Sequence, residues 1–179
     1  SPTSAEHVLE QLSGKIPYIL DGGETKIGLE STIVGYDLIS QQILIHRLGG
    51  LSIEDIEEFL LEKVKLNIHH DTPETPGQLK SHYATSTELL VGEIDELILD
   101  KTIENVVIIN YHKTKDYSVK KQFILTTQNT TTEAAKNLFR IMREADKCGA
   151  SHILCEWAPN EGLGKAINDR LKKASFNKT

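Results

Sequence analysis

Apolar positions in this chain come in short runs, each bounded by its own stop signals. Val8, Leu9 and Leu12 are spaced for one face of a helix through residues 5–12, with Ser4 as its N-cap and Gly14 as its stop. Ile16–Leu20 reads as a short strand ended by the turn Asp21-Gly22-Gly23. A β-branched run, Ser31-Thr32-Ile33-Val34, then leads through Asp37-Leu38-Ile39-Ser40 into Ile43-Leu44-Ile45, which is the grammar of a hairpin between Gly28 and Gly50. Ser52 starts the next helix, with Asp55 at the capping-box position and Ile53, Ile56, Phe59 and Leu60 expected to face inward.

The rhythm breaks between Lys65 and Thr87. This stretch holds Pro73, Pro76, Gly77 and the pair His69-His70, and it is longer than the loops of a compact domain, which marks it as functional and interdomain. From Glu88 onward strands and helices alternate. Residues 88–91, 106–109, 122–126 and 152–157 read as strands and 93–100 as a short helix. A long helix starts at Thr131 or Thr132, carries Ala135, Leu138, Phe139, Met142 and Ala145 on one face, and ends at Gly149. Gly164–Ala174 closes the chain with a basic final turn, Arg170, Lys172 and Lys173, suited to the helix dipole. The order implies an α/β fold whose second part is a small Rossmann-like domain with a mostly parallel sheet.

Composition narrows the function classes. A net charge of −6 argues against a general nucleic-acid-coating surface but leaves room for a local basic pocket. No apolar run reaches membrane-spanning length, and no secretory leader pattern is present. Cys148 and Cys155 show neither metal nor redox spacing, so they read as reduced, packed thiols of a cytoplasmic protein. The start at Ser1-Pro2-Thr3-Ser4, without an initiator Met, is read as that of a fragment.

Candidate chemistry gathers at the hairpin. Ser31 and Thr32 offer hydroxyls, and Arg47, just before Gly49-Gly50, offers a planar cationic fork for phosphate or carboxylate. A turn Ser, an edge Thr and a surface Arg share this spacing. Glu161-Gly162-Leu163-Gly164 enters a helix as a phosphate loop can, or as a simple tight turn does; it lacks the third Gly of a dinucleotide fingerprint. His69-His70-Asp71 has no second cluster at ligand spacing, and no metal site is assigned. Pro76–Tyr83 places His82 and Tyr83 on a segment that reads either as a lid over a ligand or as a linker whose Tyr packs on a neighbouring domain.

Taken in order, Ser1-Pro2-Thr3 through Val8, Asp21-Gly22-Gly23, Gly28–Val34, His46–Gly50, Pro76-Gly77, Ser81–Ala84, Gly162–Ile167 and Asp169-Arg170-Leu171 resemble the threonylcarbamoyl-AMP synthase family. The likeness is to its two-domain members, with a YrdC-like catalytic domain, a linker and a C-terminal accessory domain. The resemblance implies a C-terminal remnant of the YrdC-like domain at 1–64, a linker and lid at 65–87 and the accessory domain at 88–179. It implies an enzyme of the nucleotidyltransferase class that converts L-threonine, bicarbonate and ATP, with Mg accompanying the ATP, into threonylcarbamoyl-adenylate and pyrophosphate. Downstream machinery then uses the product to modify tRNA.

By that resemblance Ser31 contacts threonine, Arg47 the nucleotide phosphates and Ser1 the ATP, while Tyr83 is a lid residue near the nucleotide with His82 beside it. No role carries over to Thr32, and no catalytic group or metal ligand is assigned. Two departures stand out: Arg47-Leu48-Gly49 replaces the family's Arg-Pro-Gly, and Ala84-Thr85 replaces its Ala-Pro. The family's N-terminal half, with its basic cluster, lies outside this sequence, so the chain alone is expected to have little synthase activity and its first part to borrow a partner or be partly disordered. A non-catalytic α/β ligand-binding or regulatory module is the competing reading. Direct tRNA binding by the basic end, Arg170 to Lys178, competes with a solvated tail.

Overall fold

The computed structural model describes residues 1–68, 83–99 and 103–175. It is an α/β structure built on two sheets. In the first, β1 (Ile33–Asp37) and β2 (Gln42–Arg47) form the expected antiparallel hairpin, and β3 (Lys65–Leu66) adds parallel to β2. Helix α1 (Ala5–Leu12) precedes this sheet and α2 (Ile53–Leu60) joins β2 to β3. The second sheet has the order β4-β7-β5-β6, with β4 at Glu88–Val91, β5 at Val106–Asn110, β6 at Lys121–Ile124 and β7 at His152–Cys155. All its pairs are parallel, so the last strand in sequence lies between β4 and β5. Helix α3 (Ile94–Leu97) follows β4, α4 (Thr131–Asp146) makes the crossover from β6 to β7, and α5 (Gly164–Ala174) ends the described chain.

The two faces of the parallel sheet separate by the period of two that strands impose. Val107, Ile109, Ile153 and Cys155 join the core built on Leu138, Phe139 and Met142 of α4 and Ile167 and Leu171 of α5. Ile108 and Leu154 point the other way, onto Ile94 and Ile98 around α3. Every residue of β5 is buried, which is why Val106–Ile109 is a continuous apolar run instead of an alternation, ended by the buried Asn110. Ile45, Leu48, Ile53 and Ile56 form a separate cluster in the first unit, and it includes Ala166 of α5. Leu29 packs against both this cluster and the α4 core.

Helices α1 and α2 start with the caps read from sequence, Ser4 and Ser52. The Ser52 side chain accepts from the Asp55 amide at 3.1 Å, and the Asp55 carboxylate accepts from the Ser52 amide at 3.3 Å. Three apolar expectations differ. Residues 16–20 form no strand: nothing among the described residues pairs with that backbone, and Tyr18 and Leu20 are exposed. Leu9 and Leu12 of α1 are exposed too, because no described element covers their face. In α2 the buried arc runs Ile53, Ile56, Leu60, and Phe59 falls outside it at 87% exposure.

Candidate functional site

The loop 28–32, which feeds β1, is held from both sides. On the hairpin side, Arg47 Nε donates to the Ser31 carbonyl at 3.0 Å and Arg47 Nη2 donates to Ser31 Oγ at 3.1 Å. Two residues chosen from sequence are thus in direct contact. Thr32 Oγ1 donates to the Leu51 carbonyl at 2.6 Å and accepts from the Leu51 amide at 3.1 Å. The Gly50 amide donates to the Glu30 carbonyl at 2.8 Å, and a Cβ on Gly49 would collide with the backbone of Glu30, Ser31 and Thr32. Only glycine allows the two segments to lie this close.

On the other side the loop meets the second unit. Gly28, at φ +79°, lies so near α4 that a Cβ would sit 2.6 Å from the Ala135 carbonyl oxygen. The Glu30 carboxylate accepts from Arg170 of α5, through Nη2 at 2.9 Å and Nε at 3.2 Å, and from Ser1 Oγ. Arg170 is fully buried, with Nη1 donating to Asp169 at 2.8 Å, and Asp169 also accepts from Lys173 at 2.9 Å. The guanidinium lies 5.4 Å from the Tyr83 ring centre, and that ring lies 5.5 Å from Phe139 of α4.

These contacts set the protonation states. Burial opposes ionisation of Glu30, but the hydrogen bond from Ser1 and the charge and hydrogen bonds of Arg170 outweigh it and hold the carboxyl at about 2. Burial, with Glu30 and Asp169 adding to it against the opposing charge of Arg170, pushes the Tyr83 phenol up to about 12. Burial likewise disfavours the Arg170 cation, yet Tyr83, Glu30 and Asp169 more than compensate and raise its pKa.

Ser1 and Tyr83 line a cavity of about 390 Å³ with Gln11, Phe139, Arg143 and Asp146. The structure therefore arranges the four candidates among the described residues as two pairs, Ser31 with Arg47 at the hairpin base and Ser1 with Tyr83 at the cavity, with Glu30 between them. Tyr83 is 8% exposed and belongs to the α4 core. His82 and the His69-His70-Asp71 run lie outside the described residues. Among the described residues no cluster of His, Cys, Asp and Glu could hold a metal, and no helix is long and apolar enough to cross a membrane. At the start of α5, Gly164 packs against the Pro159 carbonyl and its amide bonds Glu161 O at 2.8 Å, the arrangement of a tight turn.

Glu30 and Arg170 carry part of the resemblance read from sequence, but the sequence assigns neither a role at this site. Arg170 reads there as part of a solvated basic turn; the structure buries it, which removes it from any nucleic-acid-facing patch. A signal was available: Ala166, Ile167, Leu171 and Ala174 surround it at helical spacing on the buried face.

A family model described as threonylcarbamoyl-AMP synthase, C-terminal domain, matches residues 51–175. One described as telomere recombination matches residues 1–49. The chain is 39% identical to the threonylcarbamoyl-AMP synthase of Pyrococcus abyssi, over 98% of this chain and 54% of that protein. It is 30% identical to that of Bacillus subtilis, over 98% of this chain and 53% of that protein. The crystal structure of P. abyssi Sua5 complexed with L-threonine superposes with a TM-score of 0.83 at 38% identity, covering 98% of this chain and 54% of that one. A second P. abyssi Sua5 structure, with an adjacent His and Tyr replaced by Ala, gives 0.79 at 34% identity over 98% of this chain and 53% of that one. The chain thus spans about half the length of the relatives it matches. With one family model covering 51–175, and the same name recurring in relatives aligned along nearly all of it, this chain belongs to the threonylcarbamoyl-AMP synthase family.

Proposed function

We propose that this chain is part of an L-threonylcarbamoyladenylate synthase, a nucleotidyltransferase acting in the cytoplasm on L-threonine, bicarbonate and Mg-bound ATP. Its product would serve the machinery that modifies tRNA. In this reading 1–64 is the C-terminal part of a YrdC-like domain, 65–87 the linker, whose first two residues pair as β3 with the hairpin, and 88–179 the accessory domain. The threonine amine and bicarbonate form a carbamate with loss of water. A carbamate oxygen then attacks the α-phosphorus of ATP and pyrophosphate leaves.

The observation that carries the reading is the Ser31–Arg47 pair. A hydroxyl and a guanidinium 3.1 Å apart, on a loop pinned by Thr32, Gly49 and Gly50, suit a site where a threonine end and a phosphate end must meet. Ser31 orients the threonine. Arg47 adds positive charge where the phosphate charge concentrates. The gain from such a site is orientation and electrostatic stabilisation, with no covalent step on the protein. Ser1 and Tyr83 would line the nucleotide side, with His82 beside Tyr83 in the lid. The His-Tyr order replaced in the P. abyssi variant is that of His82-Tyr83. Mg would arrive with ATP, and no protein ligand is assigned to it.

Pyrophosphate release with threonine, bicarbonate and ATP tests this. In a protein carrying this chain together with the remaining half of its relatives' length, Ser31→Ala is expected to weaken use of threonine and Arg47→Ala use of ATP, each by tenfold or more, in the range of a lost charge-assisted hydrogen bond, about 1.5–3 kcal/mol. The chain alone is expected to release no pyrophosphate above background. Turnover by the chain alone at the longer protein's rate, or full activity in both variants, would overturn the reading.

A further inference from the structure

We infer that Arg170, on the last helix of the second unit, is a positioning residue for the threonine-binding loop. This inference rests on the proposed role of Ser31. The loop 28–32 has its hydroxyl-bearing face toward Arg47 and Leu51, but its other face is seated on α4 and α5. Gly28 touches the α4 backbone, Leu29 fills both cores, and Glu30 is gripped by two nitrogens of Arg170. Ser31 is the next residue in the chain, so the Glu30 clamp fixes the peptide from which the Ser31 hydroxyl projects.

Several observations favour positioning over mere filling. A buried arginine is an expensive way to fill space, since its charge has to be compensated. Arg170 spends its donors on chosen partners: Nε and Nη2 go to Glu30, and Nη1 goes to Asp169. Asp169 is itself braced by Lys173. The carbon of the guanidinium lies over the Tyr83 ring, 5.4 Å from its centre. A single rigid fork thus touches the loop before Ser31 and the ring proposed to lie near the nucleotide. Lysine has the charge without the fork, so it cannot grip Glu30 through two nitrogens while holding Asp169 with a third. The accessory domain acquires a function through this contact: it sets the geometry of the hydroxyl wall from behind.

Two measurements test the inference, and the first needs no activity. Hydrogen exchange is followed in the longer protein that carries this chain, at the Gly50 and Leu51 amides, which bond to Glu30 and Thr32, and at Leu138 inside α4. In Arg170→Lys the first two are expected to exchange at least tenfold faster while Leu138 is unchanged. Equal acceleration at all three, or none at Gly50 and Leu51, would overturn the positioning role. The second uses the same protein. Arg170→Lys and Glu30→Gln are each expected to raise KM for threonine about tenfold with kcat within twofold, and the double variant to be no worse than either single one, as for two residues acting through one contact. Unchanged threonine KM in both variants, or a fully additive double variant, would refute the inference while leaving the proposed function standing. A wild-type protein without synthase activity would remove the proposed function, and the exchange experiment would still decide whether Arg170 orders the loop.

Discussion

Glu30 shows how one side chain can be shifted by its setting. Its ordinary value is 4.5, and the folded protein holds it at about 2, despite burial, through Ser1 and Arg170. Its folded pKa is depressed, so it contributes stability above about 4.5, and that contribution is lost as the pH falls from there toward 2. Below 4.5 the unfolded chain takes up the proton first. Glu133, also held near 2 by Thr126, Thr127 and Gln128, adds to the same acid limb. Glu30→Gln is therefore expected to be less stable at neutral pH yet to lose less on acidification. Urea midpoints at about pH 6 and about pH 3 check this: an acid loss in the variant as large as in the wild type would show that Glu30 is not coupled to folding.

At the scale of elements, side-chain caps mark where α1, α2 and α4 begin. The reciprocal bonds of Ser52 and Asp55 satisfy amides at the start of α2, whose eight residues are too few to be stable by themselves. Ser52→Ala is expected to lower stability by about 1 kcal/mol, measured by chemical denaturation. Such local chemistry is legible in sequence, and so were the hairpin, the long crossover helix and the parallel sheet, because their patterns repeat within a few residues. What was not legible depends on partners distant in the chain. Ile16–Leu20 has the composition of a strand, but a strand also needs a neighbour. Phe59 has the right residue type but lies beyond the buried arc of α2. Arg170 lies within a charged helix end, and its partner Glu30 is 140 positions away. The hairpin brings Ser31 and Arg47 to notice, but a turn Ser and a surface Arg share that spacing, and their roles come from the family resemblance. No local pattern does so for Glu30 and Arg170, because only the packing of the second unit on the first brings them together.

At the scale of the whole molecule, stability is unevenly distributed. The parallel sheet with α4 and α5 forms the largest buried cluster, whereas the stretch around α1 and the hairpin tip exposes Leu9, Leu12, Tyr18, Leu20, Tyr36, Leu38 and Ile39. Leu138→Ala, within the α4 core, is expected to cost about 2–5 kcal/mol. Phe59→Ala, on the open side of α2, is expected to stay within about 0.5 kcal/mol of the wild type. Denaturant titration of both variants measures this contrast, and similar losses in the two would contradict the distribution of the core.

The close approach of Gly28 to α4 bears on how this chain could be taken apart. A cut at residue 83 would look clean on a sequence map. It would leave behind a helix whose buried guanidinium keeps Asp169 but has lost Glu30, and a backbone furrow shaped for a glycine that is no longer there. The segment from 83 onward is a separate fold in its strand order but not in its chemistry. A graft of that segment onto another protein would have to bring residues 28–30 with it, or supply an acidic side chain and a glycine in the same places.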